Sequence, residues 1–255
     1  MIANIGIVLS GGGARGAAHI GVLKALNENG IFPDIISGVS AGSVVGALYC
    51  AGYTPDEILY LTHQSGFLKV FKLRIFHPTM SEQMYLRDFL VNHFSTNNFS
   101  CLKLPLHICI SNISTGKFEI VSEGNNLVEV LLASCALPLL YNSITINNNK
   151  YVDGGLLNNF PVEPLLTSTR KIIGVNLCPH EVRCEIVGWR NVAIRCVQLA
   201  IWNTVKSRLC KCDVALEIED SFKYGMFDLK KSEDLFKIGY DTTMEAMESI
   251  KLKLQ

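Results

Sequence analysis

Three consecutive glycines, Gly11-Gly12-Gly13, follow an apolar, β-branched run at residues 5–9 and precede a helical pattern at residues 14–29. A buried strand that ends in a glycine turn and continues directly as a helix is the opening unit of an α/β sheet. In the helical segment Ala18, Val22, Ala25 and Leu26 share one face, and Asn29-Gly30 supplies a stop. Residues 34–38 read as a second strand and residues 41–51 as a second helix. Strand, helix, strand, helix predicts parallel strands joined by right-handed crossovers.

Farther along, residues 106–110 and 117–121 flank Ser-Thr-Gly and predict a hairpin; residues 143–146 and 150–152, joined by asparagines, predict another. Residues 127–136 read as a helix stopped near Pro138, residues 171–177 as a buried strand, and residues 192–209 and 234–252 as helices. The expected fold is a three-layer α/β/α arrangement with a mostly parallel central sheet and some antiparallel additions. With 255 residues, no internal repeat and no Pro/Ser-rich linker, the chain is expected to form one domain over residues 1–255.

Composition excludes several function classes. Lys plus Arg and Asp plus Glu balance at 23 each, so the basic excess of a nucleic-acid binder is missing. The amino terminus has no positive leader or small-residue cleavage site, so no signal peptide is expected. The longest apolar stretch, residues 127–140, contains Glu129 and Pro138 and is too short to span a bilayer. The nine cysteines lack paired metal-ligand spacing; Cys210 and Cys212 have no second pair to complete a site. They are expected to be reduced, mostly buried thiols of a cytoplasmic protein that carries no metal and no cofactor.

Three segments carry chemistry. Gly38-Val39-Ser40-Ala41-Gly42 is a G-x-S-x-G sequence between a strand and a helix. A serine on such a turn needs small neighbours, which Gly38 and Gly42 supply, and its hydroxyl emerges beside a helix amino terminus. Ser10-Gly11-Gly12-Gly13-Ala14-Arg15-Gly16 can converge backbone N–H groups on an anion or oxyanion. Gly11, Gly13 and Gly16 also satisfy a dinucleotide-binding spacing, but the second strand ends in Ser37-Gly38 without the acidic residue that reading requires. A phosphate-binding loop fails too, because Ala17 and Ala18 follow Gly16 where Lys and Ser/Thr belong. Tyr151-Val152-Asp153-Gly154-Gly155 places an aspartate at a strand end; alone it reads as an ordinary turn. A serine nucleophile needs a base, and none of the histidines at 19, 63, 77, 93, 107 and 180 sits in a supporting pattern.

Together these segments resemble the patatin-like phospholipase family, and more narrowly its short bacterial, single-domain members. The blocks SGGGARGAAHIGVLKAL, SGVSAGS, ASCALPLL and YVDGGLLNNFPV carry the likeness over roughly residues 5–162, more weakly to residue 175, and nothing transfers from residue 182 onward. The resemblance implies a Ser-Asp dyad in place of a triad. Ser40 would attack the ester carbonyl, Asp153 would take its proton and later activate water, and the amides of Gly11, Gly12 and Gly13 would hold the oxyanion. Gly16, Gly38, Gly42, Gly154 and Gly155 would support the turns, and Arg15 would steady the loop or attract a lipid phosphate. An ordinary aspartate titrates at about 3.9, so a water-poor site has to raise its basicity.

The expected substrate is a lipid or phospholipid acyl ester, with peripheral membrane contact. Residues 67–76 mix large apolar side chains with Lys69, Lys72 and Arg74, which suits an interfacial element or a core-facing cap. The stretch around Trp202 suits a homodimer seam or core packing. The rival class is a catalytically silent lipid-binding or scaffold protein of the same fold, which would lack Ser40-dependent ester turnover.

Overall fold

A computed structural model of the chain describes residues 3–63, 80–138, 140–178, 186–226 and 228–255. The strands are β1 (Ala3–Leu9), β2 (Ile35–Val39), β3 (Leu106–Asn112), β4 (Lys117–Val121), β5 (Ile144–Ile146), β6 (Asn149–Asp153), β7 (Thr169–Asn176) and β8 (Val214–Glu217). The helices are α1 (Ala17–Glu28), α2 (Ala41–Ala51), α3 (Pro55–His63), α4 (Met80–His93), α5 (Leu127–Ser134), α6 (Trp189–Leu209), α7 (Ser232–Glu245) and α8 (Met247–Leu254).

The strands form one sheet in the order β5-β6-β3-β2-β1-β7-β8, with β4 paired to β3 off this path. Pairs β1–β2, β1–β7, β2–β3 and β7–β8 are parallel, whereas β3–β4, β3–β6 and β5–β6 are antiparallel. Both expected hairpins, β3–β4 and β5–β6, are present, and β3–β6 adds a third antiparallel pair.

Side chains alternate across the central strands, so each strand is buried on both faces. Ile7, Leu9, Ile36, Ile173 and Val175 enter one core with Ile20 and Leu23 of α1, Leu48 of α2, Leu131 of α5 and Leu235 of α7. Val8, Ile35 and Ile172 point the other way, onto Phe160, Val162, Leu165 and Val205 of α6. This second layer is thin, and Phe160 is its largest fully buried side chain.

Local signals explain most boundaries. α2 stops at Gly52, whose φ of 101° is left-handed. α6 begins at Trp189, after Gly188 at φ 83°, a turn earlier than the apolar pattern suggests. α3 opens on a capping box: Thr54 N donates to Glu57 Oε2 at 2.8 Å, and Glu57 N donates to Thr54 Oγ1 at 3.3 Å. The single helix expected over residues 234–252 is instead two helices separated at Ala246, which caps α7 and starts α8. No glycine or proline marks that break. The eight described cysteines are free thiols, of which Cys50, Cys109 and Cys135 are buried and Cys196 and Cys210 exposed. Most are therefore not deeply buried, contrary to expectation. Residues 67–76 lie outside the described residues.

Truncating Phe160 would empty the thin layer. Phe160→Ala is expected to lower stability by about 3–5 kcal/mol in urea unfolding, with Phe160→Leu losing clearly less.

Candidate active site

The site forms because two strands meet end to end on one edge of β3. Val39, the last residue of β2, pairs with Cys109, and Asp153, the last of β6, pairs with the next residue, Ile110. β4 occupies the opposite edge of both residues, through Ile120 and Glu119. β2 is parallel to β3 and β6 antiparallel to it, so their carboxyl ends face each other. Ser40 leaves one end and Asp153 leaves the other, and Ser40 Oγ donates to Asp153 Oδ2 at 2.7 Å.

Ser40 has φ 52° and ψ −128°, a left-handed conformation rare outside glycine. Such strain is of order 1–3 kcal/mol and needs surrounding structure to hold it. Here Ser40 N donates to Ser134 Oγ at 2.9 Å, and Ser134 Oγ donates onward to the Cys109 carbonyl at 2.8 Å. On the other side Ser43 Oγ donates to the Ser40 carbonyl at 2.7 Å. The backbone crowds this elbow: a Cβ on Gly42 would lie 2.3 Å from the Leu9 carbonyl oxygen, and one on Gly38 2.7 Å from that of Gly42. Gly154 fills the gap between the two strand ends, where a Cβ would lie 2.2 Å from the Cys109 carbonyl oxygen and 2.8 Å from Val39 Cγ2.

Asp153 is 2% exposed. Its Oδ1 accepts from Gly155 N at 2.8 Å, which fixes the carboxyl plane and leaves Oδ2 to Ser40. Burial pushes this carboxyl up to about 7, although the hydrogen bonds from Ser40 and Gly155 pull it down. A hydroxyl bonded to a carboxylate of that basicity can lose its proton as it attacks an electrophile.

Gly11, Gly12 and Arg15 line the same cavity of about 70 Å³ as Ser40 and Asp153. Gly13, at φ 62°, faces the Met226 carbonyl and, with Gly16, borders a smaller apolar cavity of about 30 Å³. The Gly11 carbonyl accepts from Ser10 Oγ at 3.2 Å and Cys178 Sγ at 3.3 Å. A trans peptide points its N–H opposite to its carbonyl, so the Gly12 N–H is directed away from those two donors. Arg15 is buried; its Nε donates to the Tyr224 carbonyl at 3.1 Å and its guanidinium stacks 4.2 Å from the Phe222 ring centroid. It therefore ties the glycine loop to the turn at Glu219–Lys223.

His19, His63, His93 and His107 are the described histidines, and none lines this cavity. His19 is fully buried and bonds the Ser10 carbonyl through Nε2 at 2.8 Å; burial lowers its pKa to about 4. A neutral ring thus props the glycine turn from behind. His77 and His180 lie outside the described residues.

Two contributors escaped the sequence reading. Asn159 lines the cavity, and its buried Nδ2 has no hydrogen-bond partner among the described residues. The only hint in the sequence is its place in the block that follows Asp153. α6 supplies Arg195, Leu199, Ile201 and Trp202 to the cavity wall. Trp202 thus borders the cavity, a location that neither a dimer seam nor core packing anticipated.

The sequence model of the patatin-like phospholipase family matches residues 7–166. The chain belongs to the patatin-like phospholipase family. Among its relatives, the lysophospholipase NTE1 of Meyerozyma guilliermondii is 31% identical over 272 residues, covering 92% of this chain and 19% of that protein. The patatin-like phospholipase domain-containing protein ZK370.4 of Caenorhabditis elegans is 33% identical over 172 residues, covering 62% of this chain and 12% of its own length. The family member described here therefore spans about a tenth to a fifth of these relatives. The fold is shared with VipD of Legionella pneumophila at a TM-score of 0.56 and 15% identity, over 98% of this chain and 67% of that one. It is shared also with ExoU of Pseudomonas aeruginosa, solved with SpcU, at a TM-score of 0.55 and 16% identity, over 99% and 53% of the two chains.

Asp153 also makes a stability prediction. Its pKa in the folded protein is raised, so the folded state holds its proton more tightly, and stability falls as pH rises from about 4 to about 7. Asparagine keeps the hydrogen-bond geometry without the buried charge. Asp153→Asn is expected to be more stable than wild type at pH 8, by an amount on the order of a few kcal/mol, and equal to it below about pH 4. Urea unfolding at the two pH values checks this.

Proposed function

We propose that this protein is a serine acyl hydrolase that cleaves lipid acyl esters through a Ser40–Asp153 dyad. The observation that carries the proposal is the buried 2.7 Å hydrogen bond from Ser40 Oγ to a carboxyl group whose pKa lies at about 7. Family membership and the lysophospholipases among the relatives support the same chemistry. We take residues 1–255 as one acyl-hydrolase domain.

As Ser40 Oγ attacks the ester carbonyl carbon, its proton passes to Asp153 Oδ2. The carbonyl oxygen gains negative charge, which the amides of the glycine loop stabilise; Gly11 and Gly12 border the cavity, whereas Gly13 faces the Met226 carbonyl. Collapse of the tetrahedral species breaks the ester bond, and Asp153 returns the proton to the departing alcohol. Water then attacks the acyl-Ser40 ester and gives a proton to Asp153, and collapse releases the fatty acid as Asp153 passes that proton to Ser40 Oγ.

Two neighbours serve this sequence. Asn159 lines the same cavity and carries an amide donor without a partner among the described residues, suited to a substrate oxygen. Arg15 holds the loop through Tyr224 and Phe222, so its main part is mechanical.

Ser40→Ala and Asp153→Asn are each expected to lower hydrolysis of a short-chain p-nitrophenyl ester by at least about a thousand-fold, with far-ultraviolet circular dichroism unchanged. Wild-type turnover in either folded variant overturns the dyad. In the wild type, kcat/KM is expected to rise with pH and level off above about 7, as Asp153 loses its proton. A lipid mass-spectrometric comparison of wild type and Ser40→Ala on a mixed phospholipid panel identifies the acyl chain and position cut.

A further inference from the structure

Cys178 lines the Ser40 cavity, and Ser10 directly precedes the glycines that do, yet neither side chain takes part in proton transfer. The sheet explains why they meet. β1 and β7 run parallel with Leu9 opposite Val175, so the residues that follow the two strands leave the sheet side by side. Ser10 is tied to the end of β7 twice: its N–H donates to the Val175 carbonyl at 3.1 Å, and its Oγ accepts from Leu177 N at 2.9 Å. The Ser10 hydroxyl proton goes to the Gly11 carbonyl, 3.2 Å away. Cys178 reaches the same carbonyl from the other strand end, with Sγ at 3.3 Å, and its own N–H is fixed by Asn176 Oδ1 at 3.0 Å.

One donor would satisfy this buried carbonyl. A second donor, brought from a separate strand, restricts how the peptide plane can turn. The peptide joins two glycines, so no side chain of its own resists rotation. The peptide before it is held in the same manner, since His19 Nε2 bonds the Ser10 carbonyl at 2.8 Å. Neither peptide is cis, so each N–H lies opposite its held carbonyl. The N–H groups so directed belong to Gly11 and Gly12, the two glycines that border the cavity, and among the described residues neither donates to a backbone carbonyl. Burial pushes the Cys178 thiol pKa up, so Sγ keeps the proton that it donates.

We infer that Ser10 and Cys178 are positioning residues for the oxyanion: by holding the Gly11 carbonyl from both strand ends, they keep the Gly12 N–H directed at the oxygen that becomes negative when Ser40 attacks. Their effect passes through the peptide and not through contact with the reacting atoms. A donor fixed in advance stabilises the developing charge without rearranging at the moment of reaction, and a donor free to rotate loses that advantage. The role rests on the acyl-hydrolase reading and adds to it what holds the donor still.

The test is hydrolysis of a short-chain p-nitrophenyl ester by Ser10→Ala, Cys178→Ala and the double variant, with turnover counted per Ser40 titrated by a fluorophosphonate. Each single variant is expected to lower kcat about threefold to tenfold, and the double variant about a hundredfold, which approaches the loss of one oxyanion donor. KM is expected to change by less than about twofold. Cys178→Ser, which keeps a donor, is expected to recover most of what Cys178→Ala loses. A trifluoromethyl ketone, which forms an anionic adduct with Ser40, reads the same donor without turnover. Its affinity is expected to fall in parallel with kcat/KM across the series, while affinity for the fatty-acid product holds. A packing defect alone would lower the urea midpoint and the titrated fraction without moving kcat per site. A double variant with kcat within about threefold of wild type, a loss carried by KM, or a Cys178→Ser no better than Cys178→Ala overturns the positioning role and leaves the dyad standing. If the double variant fails to fold, the comparison of Cys178→Ala with Cys178→Ser decides alone. Wild type without Ser40-dependent turnover refutes the hydrolase reading and takes this role with it.

Discussion

Along one edge, β3 hydrogen-bonds first to β2 and then to β6, and these two partners run toward each other. Neither strand can advance, because the backbone groups of β3 at Cys109 and Ile110 are already divided between them. The chain must leave the sheet at Val39 and at Asp153, and both exits open at the same point. A hydroxyl and a carboxyl separated by 113 positions in sequence thereby come within 2.7 Å. Parallel strands alone would not achieve this. The mixed character of the sheet is what faces one strand end toward another.

The same junction sets the chemistry. Packing between two strand ends removes Asp153 from water, and desolvation raises its pKa by disfavouring the charged form. The hydrogen bonds from Ser40 and Gly155 oppose that shift without cancelling it. Burial therefore acts twice, lowering stability at neutral pH and bringing the carboxyl into the range where a carboxylate can take up a proton near neutral pH. The strained Ser40 backbone follows a similar logic, since the Ser134 and Ser43 hydroxyls hold a conformation that an isolated chain would leave.

The strand-glycine-helix units are legible in the sequence because several local signals coincide in each. β-branched runs define β1 and β2, glycines define the turns, and Gly52 ends α2 at the residue expected. Both hairpins are legible from turn residues between apolar runs. The 2.7 Å approach of Ser40 to Asp153 is not local, and only the resemblance to a known family connects the two positions. α3 carried a legible Thr54–Glu57 capping box that an apolar-periodicity reading passes over. The break at Ala246 has no glycine or proline to mark it, so periodicity runs across it unnoticed. α6 is legible as a helix but not as a cavity wall, since the sequence does not say which cavity a helix borders.

The close quarters around Gly42 and Gly154 bear on how such a protein can change over generations. A side chain at either position would collide with main-chain carbonyl oxygens of β1 or β3, which no rotamer change relieves. Mutational drift is therefore shut out of the strand junction and directed to the periphery, where loops and helix faces can be rewritten freely. Novelty in substrate choice would then enter through cavity-wall elements such as α6, while the seam between β2 and β6 has no room for a side chain at these two glycines.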